Sequence, residues 1–234
     1  MAGLSVNLTN QLYNSTYYKY RSLSEFERFM DVIVNNRFYG ATYKELNDPL
    51  EGKFNITGLK DHDFKTIYDN LRLTRIFSMM RKTDKQKFPD DFLMWSHYAD
   101  EHKGCCIELE ITKQHNHGWE LIAVKYQRAL PPIDKLSDVD RTRNILSTKT
   151  PDWHNEHEVR AIKTYDDKDK FRSQSPYYHV KVKAVYFGDR VKQEKCDFYK
   201  KIINKINPSI KLYKIREDKS QGPGFFPTLM HVPL

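Results

Sequence analysis

Apolar positions recur along this chain in two rhythms. YYKYR (17–21) reads as a short strand. Phe26, Phe29, Met30, Ile33 and Val34 follow at i, i+3, i+4, i+7 and i+8, the stripe of an amphipathic helix. Ser24 and Glu27 stand ahead of it at capping-box spacing, and Asn35–Asn36 can end it. RFYGAT (37–42) looks like a second strand, and NDPLEG (47–52) like a turn, with Asp before Pro and a Gly after. Phe64, Ile67, Tyr68 and Leu71 predict another helix, and TRIFSM (74–79) a buried strand. Over 91–102, Phe92, Trp95, Tyr98 and Ala99 share a helical face, Gly104 is the stop, and CCIELEI (105–111) is a strand.

WELIAVKYQ (119–127) predicts one strand. Ser137, with Asp140 three residues on, predicts a capped helix reaching about Lys149. NEHEVRAIK (155–163) and YYHVKVKAVYFG (177–188) alternate as strands. Phe198, Tyr199, Ile202, Ile203 and Ile206 give a last amphipathic helix before a final strand, IKLYKI (210–215). Roughly eight strands mixed with four or five helices, without regular βαβ alternation, predict an α+β fold. Residues 1–219 read as a single domain, and the stretch 220–234, with three Pro and two Gly, as a loose C-terminal tail.

Composition narrows the class. With 39% hydrophobic and 30% charged residues among 234, an ordinary globular core is expected. No apolar run approaches the ~20 residues that span a bilayer, so no membrane partner is expected. The N-terminal stretch lacks the pattern of a signal peptide. Three Cys make no disulfide framework, and a reducing cytoplasm is the simplest compartment. The net charge of +8 is concentrated: Lys163 to Lys219 holds 16 Lys/Arg against 8 Asp/Glu, and the remainder balances. Such a segment suits nucleic acid, an acidic protein or a nucleotide, or is a solvated lysine-rich surface.

Metal-ligand spacing is absent. His97 and His102 are five apart where a helix needs three or four, and no His or Cys pairs stand at finger spacing. Cys105 and Cys106 open an apolar strand and read as packing. In W-H-N-E-H-E-V-R (153–160), strand alternation puts Glu156, Glu158 and Arg160 on one face. Two carboxylates about 7 Å apart there could orient a ribose hydroxyl or stabilise a developing cation. The alternative is an exposed face whose Glu–Arg pairs contribute little, and spacing leaves both open. Arg21 and Ser22 stand where a strand meets a helix N-terminus, a place for phosphate or for a structural ion pair. Trp95, His97 and Tyr98 form helical stripes that read as core or as a pocket wall.

KYRSL, NDPLEG, IFSM, LMWSHYADEHKGCCIELE, W-H-N-E-H-E-V-R and VKAVYFG, in that order over about residues 17–190, resemble the bacterial domain-of-unknown-function family 2971. A further resemblance is to the ADP-ribosyltransferase superfamily in its Arg–Ser–Glu form. It implies a mixed, largely antiparallel split β core with flanking helices, and NAD as substrate. By position, Arg21 would hold phosphate or ribose, Ser78 would support the catalytic strand, and Glu158, assisted by Glu156, would stabilise the oxocarbenium ion. F-S-M stands where that superfamily has Ser-Thr-Ser, and the interval from Ser78 to Glu158 is long. The same resemblance makes Tyr20, Trp95 or Tyr98 candidates for stacking on the NAD rings, with Ser22, Asn47, Asp48 and His97 nearby on the pocket wall and rim. It further implies a protein or nucleic-acid acceptor, a toxin or anti-phage effector role, and a neutralising partner protein. Two other classes stay open: a metal-dependent nuclease using Glu156 and Glu158, and a non-catalytic module binding nucleic acid or a partner.

Overall fold

The computed structural model describes residues 11–84, 86–111, 113–218, 220, 222 and 228–234. In chain order the strands are β1 (Thr16–Arg21), β2 (Arg37–Tyr39), β3 (Thr74–Arg81), β4 (Cys105–Ile111), β5 (Glu120–Ala123), β6 (Lys125–Tyr126), β7 (Thr148–Lys149), β8 (Glu158–Thr164), β9 (Tyr177–Phe187), β10 (Lys211–Asp218) and β11 (Thr228–Pro233). The helices are α1 (Phe26–Asn35), α2 (Asp61–Arg72), α3 (Phe92–Tyr98), α4 (Asp138–Leu146), α5 (Lys168–Ser173) and α6 (Gln193–Ile206). They form two compact units, each mixed α/β with largely antiparallel strands and flanking helices.

The first unit draws on Phe38–Met80 and Lys113–Tyr178. Its centre is β8, antiparallel to β3 on one side and β5 on the other. All of Glu158–Ile162 is buried, so β8 has no solvent face. Ile162 joins Ile67 and Leu71 of α2 and Ile145 and Leu146 of α4 in one apolar cluster. Fully burying each such side chain contributes about 1.5–3 kcal/mol. Arg141 of α4 pairs with Asp63 of α2 at 2.8 Å and fastens the two helices together.

Three predicted boundaries move in this unit. The strand expected over 119–127 breaks at Val124, whose N–H donates to the Glu158 carbonyl, and β6 turns away to pair in parallel with β7. The helix capped by Ser137, whose Oγ accepts the Asp140 N–H, ends at Leu146 and not near Lys149. The strand expected over 155–163 begins only at Glu158. Pro151 opens a 3-10 turn over Pro151–Glu156, and His157 takes a left-handed conformation at φ 42°. Proline suits a first helical position because its missing N–H would be unpaired there in any case.

The second unit comprises Asn14–Arg37, Arg81–Thr112 and His179–Leu234. Its strand order is β11–β10–β9–β4–β1, antiparallel except for β9 and β10. Parallel neighbours need a crossover, and α6 supplies it. Tyr199 of α6 packs against Phe29 of α1 and Phe187 of β9, with ring centroids 5.0 and 5.6 Å away. The predicted stripe of α1 is partly rotated: Phe29, Val32 and Ile33 are buried, while Phe26 and Val34 stay exposed. Ser24 does not cap this helix. It turns back on Ser22, and Glu25 occupies the cap without a side-chain bond. Asn36 ends the helix as expected, in a left-handed conformation with its N–H on the Val32 carbonyl. The tail expected to be loose carries β11, antiparallel to β10.

The helix expected over 91–102 stops at Tyr98. Asp100, Glu101 and His102 follow with φ of 50°, 51° and 69°. Three consecutive non-glycine residues in the left-handed region are costly, and packing must hold them there. Gly104 and Gly188 permit that packing. A Cβ on Gly104 would meet the Ala99 carbonyl oxygen at 2.7 Å, and one on Gly188 the His102 carbonyl carbon at 2.7 Å. Gly188→Ala is therefore expected to lower stability by about 2 kcal/mol or more, because backbone must shift. Val34→Ala, on an exposed side chain, should stay within about 0.5 kcal/mol. Paired thermal and denaturant unfolding curves measure both.

Candidate functional site

The first unit buries five ionised side chains together. Arg160 is the most central, with its side chain 1% exposed. Its Nε donates to Glu158 at 2.8 Å, one Nη1 bond goes to Glu51 at 2.9 Å, and another to the Leu146 carbonyl at 2.8 Å. Its Nη2 reaches both carboxylates as well. The guanidinium fork thus matches two carboxylates and also donates to the Leu146 carbonyl at the end of α4, where a cation is favoured.

Lys149 joins the other side of the cluster. Its Nζ lies 2.7 Å from Glu156, 2.8 Å from Glu158 and 3.9 Å from Glu51. The Trp153 ring centroid is 5.3 Å from the same nitrogen, within cation–π range. Local backbone explains the convergence. On a regular strand Glu156 and Glu158 would stand about 7 Å apart. The 3-10 turn and the left-handed His157 fold Glu156 back, so both carboxylates meet one ammonium. The Tyr126 hydroxyl accepts the Glu158 N–H at 2.8 Å and fixes the start of β8.

Burial penalises the Glu158 charge, but Arg160 and Lys149 reverse that and hold its carboxyl well below the usual range. Burial likewise works against the Lys149 ammonium, and Glu158 and Glu156 overcome it, so its pKa is raised. Three carboxylates face two cations, leaving the cluster one negative charge in excess. Among the described residues no group of three or more His, Cys, Asp or Glu is arranged to hold a metal ion. The ammonium of Lys149 already fills the space between the two glutamates.

The sequence-predicted site residues separate between the units. Glu156, Glu158, Ser78, Asn47 and Asp48 belong to the first. Ser78 lies directly opposite Arg160 across the β3–β8 ladder. Asp48 is buried and its Oδ1 accepts the Leu50 N–H, so it shapes the turn that carries Glu51, while Asn47 is exposed. Tyr20, Arg21, Ser22, Trp95, His97 and Tyr98 belong to the second unit. There Arg21 donates to the Arg28 carbonyl at 3.3 Å, and burial lowers its pKa. Ser22 bonds to Ser24. Trp95 is fully buried, donates to the Pro89 carbonyl, and meets Tyr20 edge-on at 5.2 Å. His97 is exposed and Tyr98 half-buried. Burial pushes the Cys105 thiol up to about 12 and raises that of Cys106 well above its ordinary value, which suits packing groups.

Sequence reasoning missed Glu51 and Lys149. Glu51 lies inside the NDPLEG turn, and Lys149 lies in β7, beyond the end of α4. Only the folded backbone brings them to the glutamates. Arg160 was visible on the correct face of the strand, but as a surface partner.

A family model described as Protein of unknown function (DUF2971) matches residues 94–161, a span that holds Lys149, Glu156, Glu158 and Arg160. No curated protein and no solved structure matches the chain.

Lys149→Met should destabilise the protein by about 3–5 kcal/mol, because it strands buried carboxylates. The acid limb of the stability curve is a second readout. Glu158 has a folded pKa below its ordinary value of 4.5, so its contribution is complete above that pH and is lost progressively as pH falls below it. Glu158→Gln should flatten that limb in denaturant titrations repeated across acidic pH.

Proposed function

We propose that this chain is an NAD-dependent ADP-ribosyltransferase-like enzyme with the split core of that superfamily, and that Glu158, assisted by Glu156, carries its chemistry. The observation that supports the reading is the convergence of these two carboxylates on one ammonium inside a buried cluster. Cleavage of the glycosidic bond sends the bonding pair to the nicotinamide nitrogen and leaves positive charge at C1′ of the ribose. The acceptor nucleophile then bonds to C1′ and releases its proton. A fixed anion in dry surroundings stabilises that developing charge far more than one in water. The cluster holds a cation between the two glutamates and carries a negative charge in excess, which is the electrostatic setting the reaction asks for.

In this reading Lys149 yields an oxygen of Glu158 to a ribose hydroxyl as NAD enters, moving toward Glu51, 3.9 Å away. Arg160 keeps hold of the other oxygen and fixes the carboxylate plane. Ser78, opposite Arg160, supports the strand from β3. The basic segment 163–219 favours an acidic or nucleic-acid acceptor. A toxin or anti-phage effector role in the cytoplasm, restrained by a neutralising partner protein, follows from the resemblance.

The test is incubation with labelled NAD and a cell lysate. Wild-type protein should release nicotinamide and transfer label. Glu158→Gln and Glu156→Gln, each verified by thermal melt, should lose about 100-fold or more of that activity, and Glu110→Gln, at a half-exposed surface position, should lose none. A wild-type protein without NAD turnover that cleaves nucleic acid in the presence of Mg²⁺ would sink the reading, as would full activity in both glutamine variants.

A further inference from the structure

Two cations on β3 and β8 are left without a counter-charge. Arg75 and Lys163 stand directly opposite each other in the antiparallel ladder, so both side chains leave the same face of the first unit's sheet. Like charges in such a pair repel, because their Cβ atoms are only about 5 Å apart. Among the described residues neither makes an ion pair. The two aspartates that follow Tyr165 are engaged elsewhere: Asp166 pairs with Lys170 at 2.7 Å, and Asp167 caps α5. Burial lowers the pKa of the Lys163 ammonium, and no carboxylate offsets it. A protein keeps such a pair at a cost in stability, in contrast to the Arg160 cluster, where each charge has its partner.

Aromatic rings surround both cations. The guanidinium carbon of Arg75 is 4.1 Å from the Phe171 ring centroid and 5.3 Å from that of Tyr39, and Lys163 Nζ is 4.9 Å from that of Tyr165. Tyr165 meets Phe171 edge-on at 5.5 Å, and Tyr39 meets Tyr177 edge-on at 6.1 Å. Rings hold a cation in place without cancelling its charge. Donors are also left over. Arg75 uses Nη1 for the Tyr39 hydroxyl at 2.7 Å and the Gly40 carbonyl at 3.3 Å. Its Nε is buried and unbonded, and neither its Nη2 nor Lys163 Nζ makes a hydrogen bond among the described residues. The Tyr39 oxygen accepts from Arg75, so its own proton is free to be donated, and the residue is 48% exposed. This face therefore alternates unneutralised cations with rings, one of them half open to solvent.

From this arrangement we infer that the Arg75–Lys163 face binds single-stranded nucleic acid, with the two cations on backbone phosphates and Tyr39 as a platform for a base. Phosphodiester oxygens only accept, which complements a surface of leftover donors. An unpaired base can lie on the open Tyr39 ring, a contact that an inorganic anion cannot make. A duplex keeps its bases stacked on one another and offers that ring nothing. The inference stands whether or not the chain turns over NAD.

Anisotropy titration of the full chain, without NAD, against a labelled oligothymidylate of about 12 nucleotides tests it. Saturable binding that weakens as salt rises is expected, with the matching duplex bound at least about tenfold less tightly. Lys163→Gln should weaken the single strand severalfold and reduce the slope of log affinity against log salt by about one. Because that change also relieves a repulsion, its melting temperature should not fall. Tyr39→Leu should cost about fivefold or more, while Tyr39→Phe, which keeps the ring, should retain most of the affinity. No saturable binding at low salt overturns the inference. So does equal affinity for the duplex, or unchanged affinity in both Lys163→Gln and Tyr39→Leu. An equal loss from Lys201→Gln, an exposed lysine of α6 in the second unit, overturns it as well.

Discussion

A guanidinium taken out of water must have its donors matched, or the fold that buries it does not form. Arg160 meets that condition through Glu158, Glu51 and the Leu146 carbonyl. Each partner comes from a different part of the first unit: the strand itself, the turn after Asn47, and the end of α4. One side chain thus fixes the turn, the helix and β8 in place. Lys149 extends the arrangement to Glu156 and to the 3-10 turn that carries Trp153. Much of the unit's topology can be read as the set of connections that brings these five groups together.

Stability alone is a poor reason for such a cluster. Well-packed apolar side chains of similar volume would hold the same space at least as firmly. What the ions add is a fixed electric field in a dry place, with carboxylates already turned toward positive charge. That links the packing of the unit to a chemical use, since stabilising a developing cation needs the same orientation in advance of the reaction. The β8 strand makes this possible because it is buried on both faces, so its charged residues cannot relax into solvent.

The second unit reaches a fixed group by another route. Its chain passes through three left-handed residues held by close backbone contact at Gly104 and Gly188. Trp95 does not wall a pocket as an aromatic stripe might. It lies in the core as the platform on which His102 rests. The segment W-S-H-Y-A-D-E-H-K-G is best understood as a device that ends α3 early and turns His102 toward Asp189.

Periodicity in the sequence determined most of the elements, because burying one face of a helix or strand imposes a repeat that survives in any tertiary context. The strands at 17–21, 74–79, 105–111 and 177–188, and the helices holding Ile67 and Tyr199, belong to that class. Local chemistry also fixed the Asn36 helix stop and the NDPLEG turn. Tertiary structure alone decided the boundary at Val124, where a long-range backbone bond to Glu158 outweighed pattern. It also recruited Glu51 and Lys149 to Glu156 and Glu158, residues up to 109 positions from Arg160 in the chain. Sequence spacing cannot encode such a meeting, because a buried ion pair is set by where strands and turns converge in space, and the pattern of apolar residues records only which face of each is hidden.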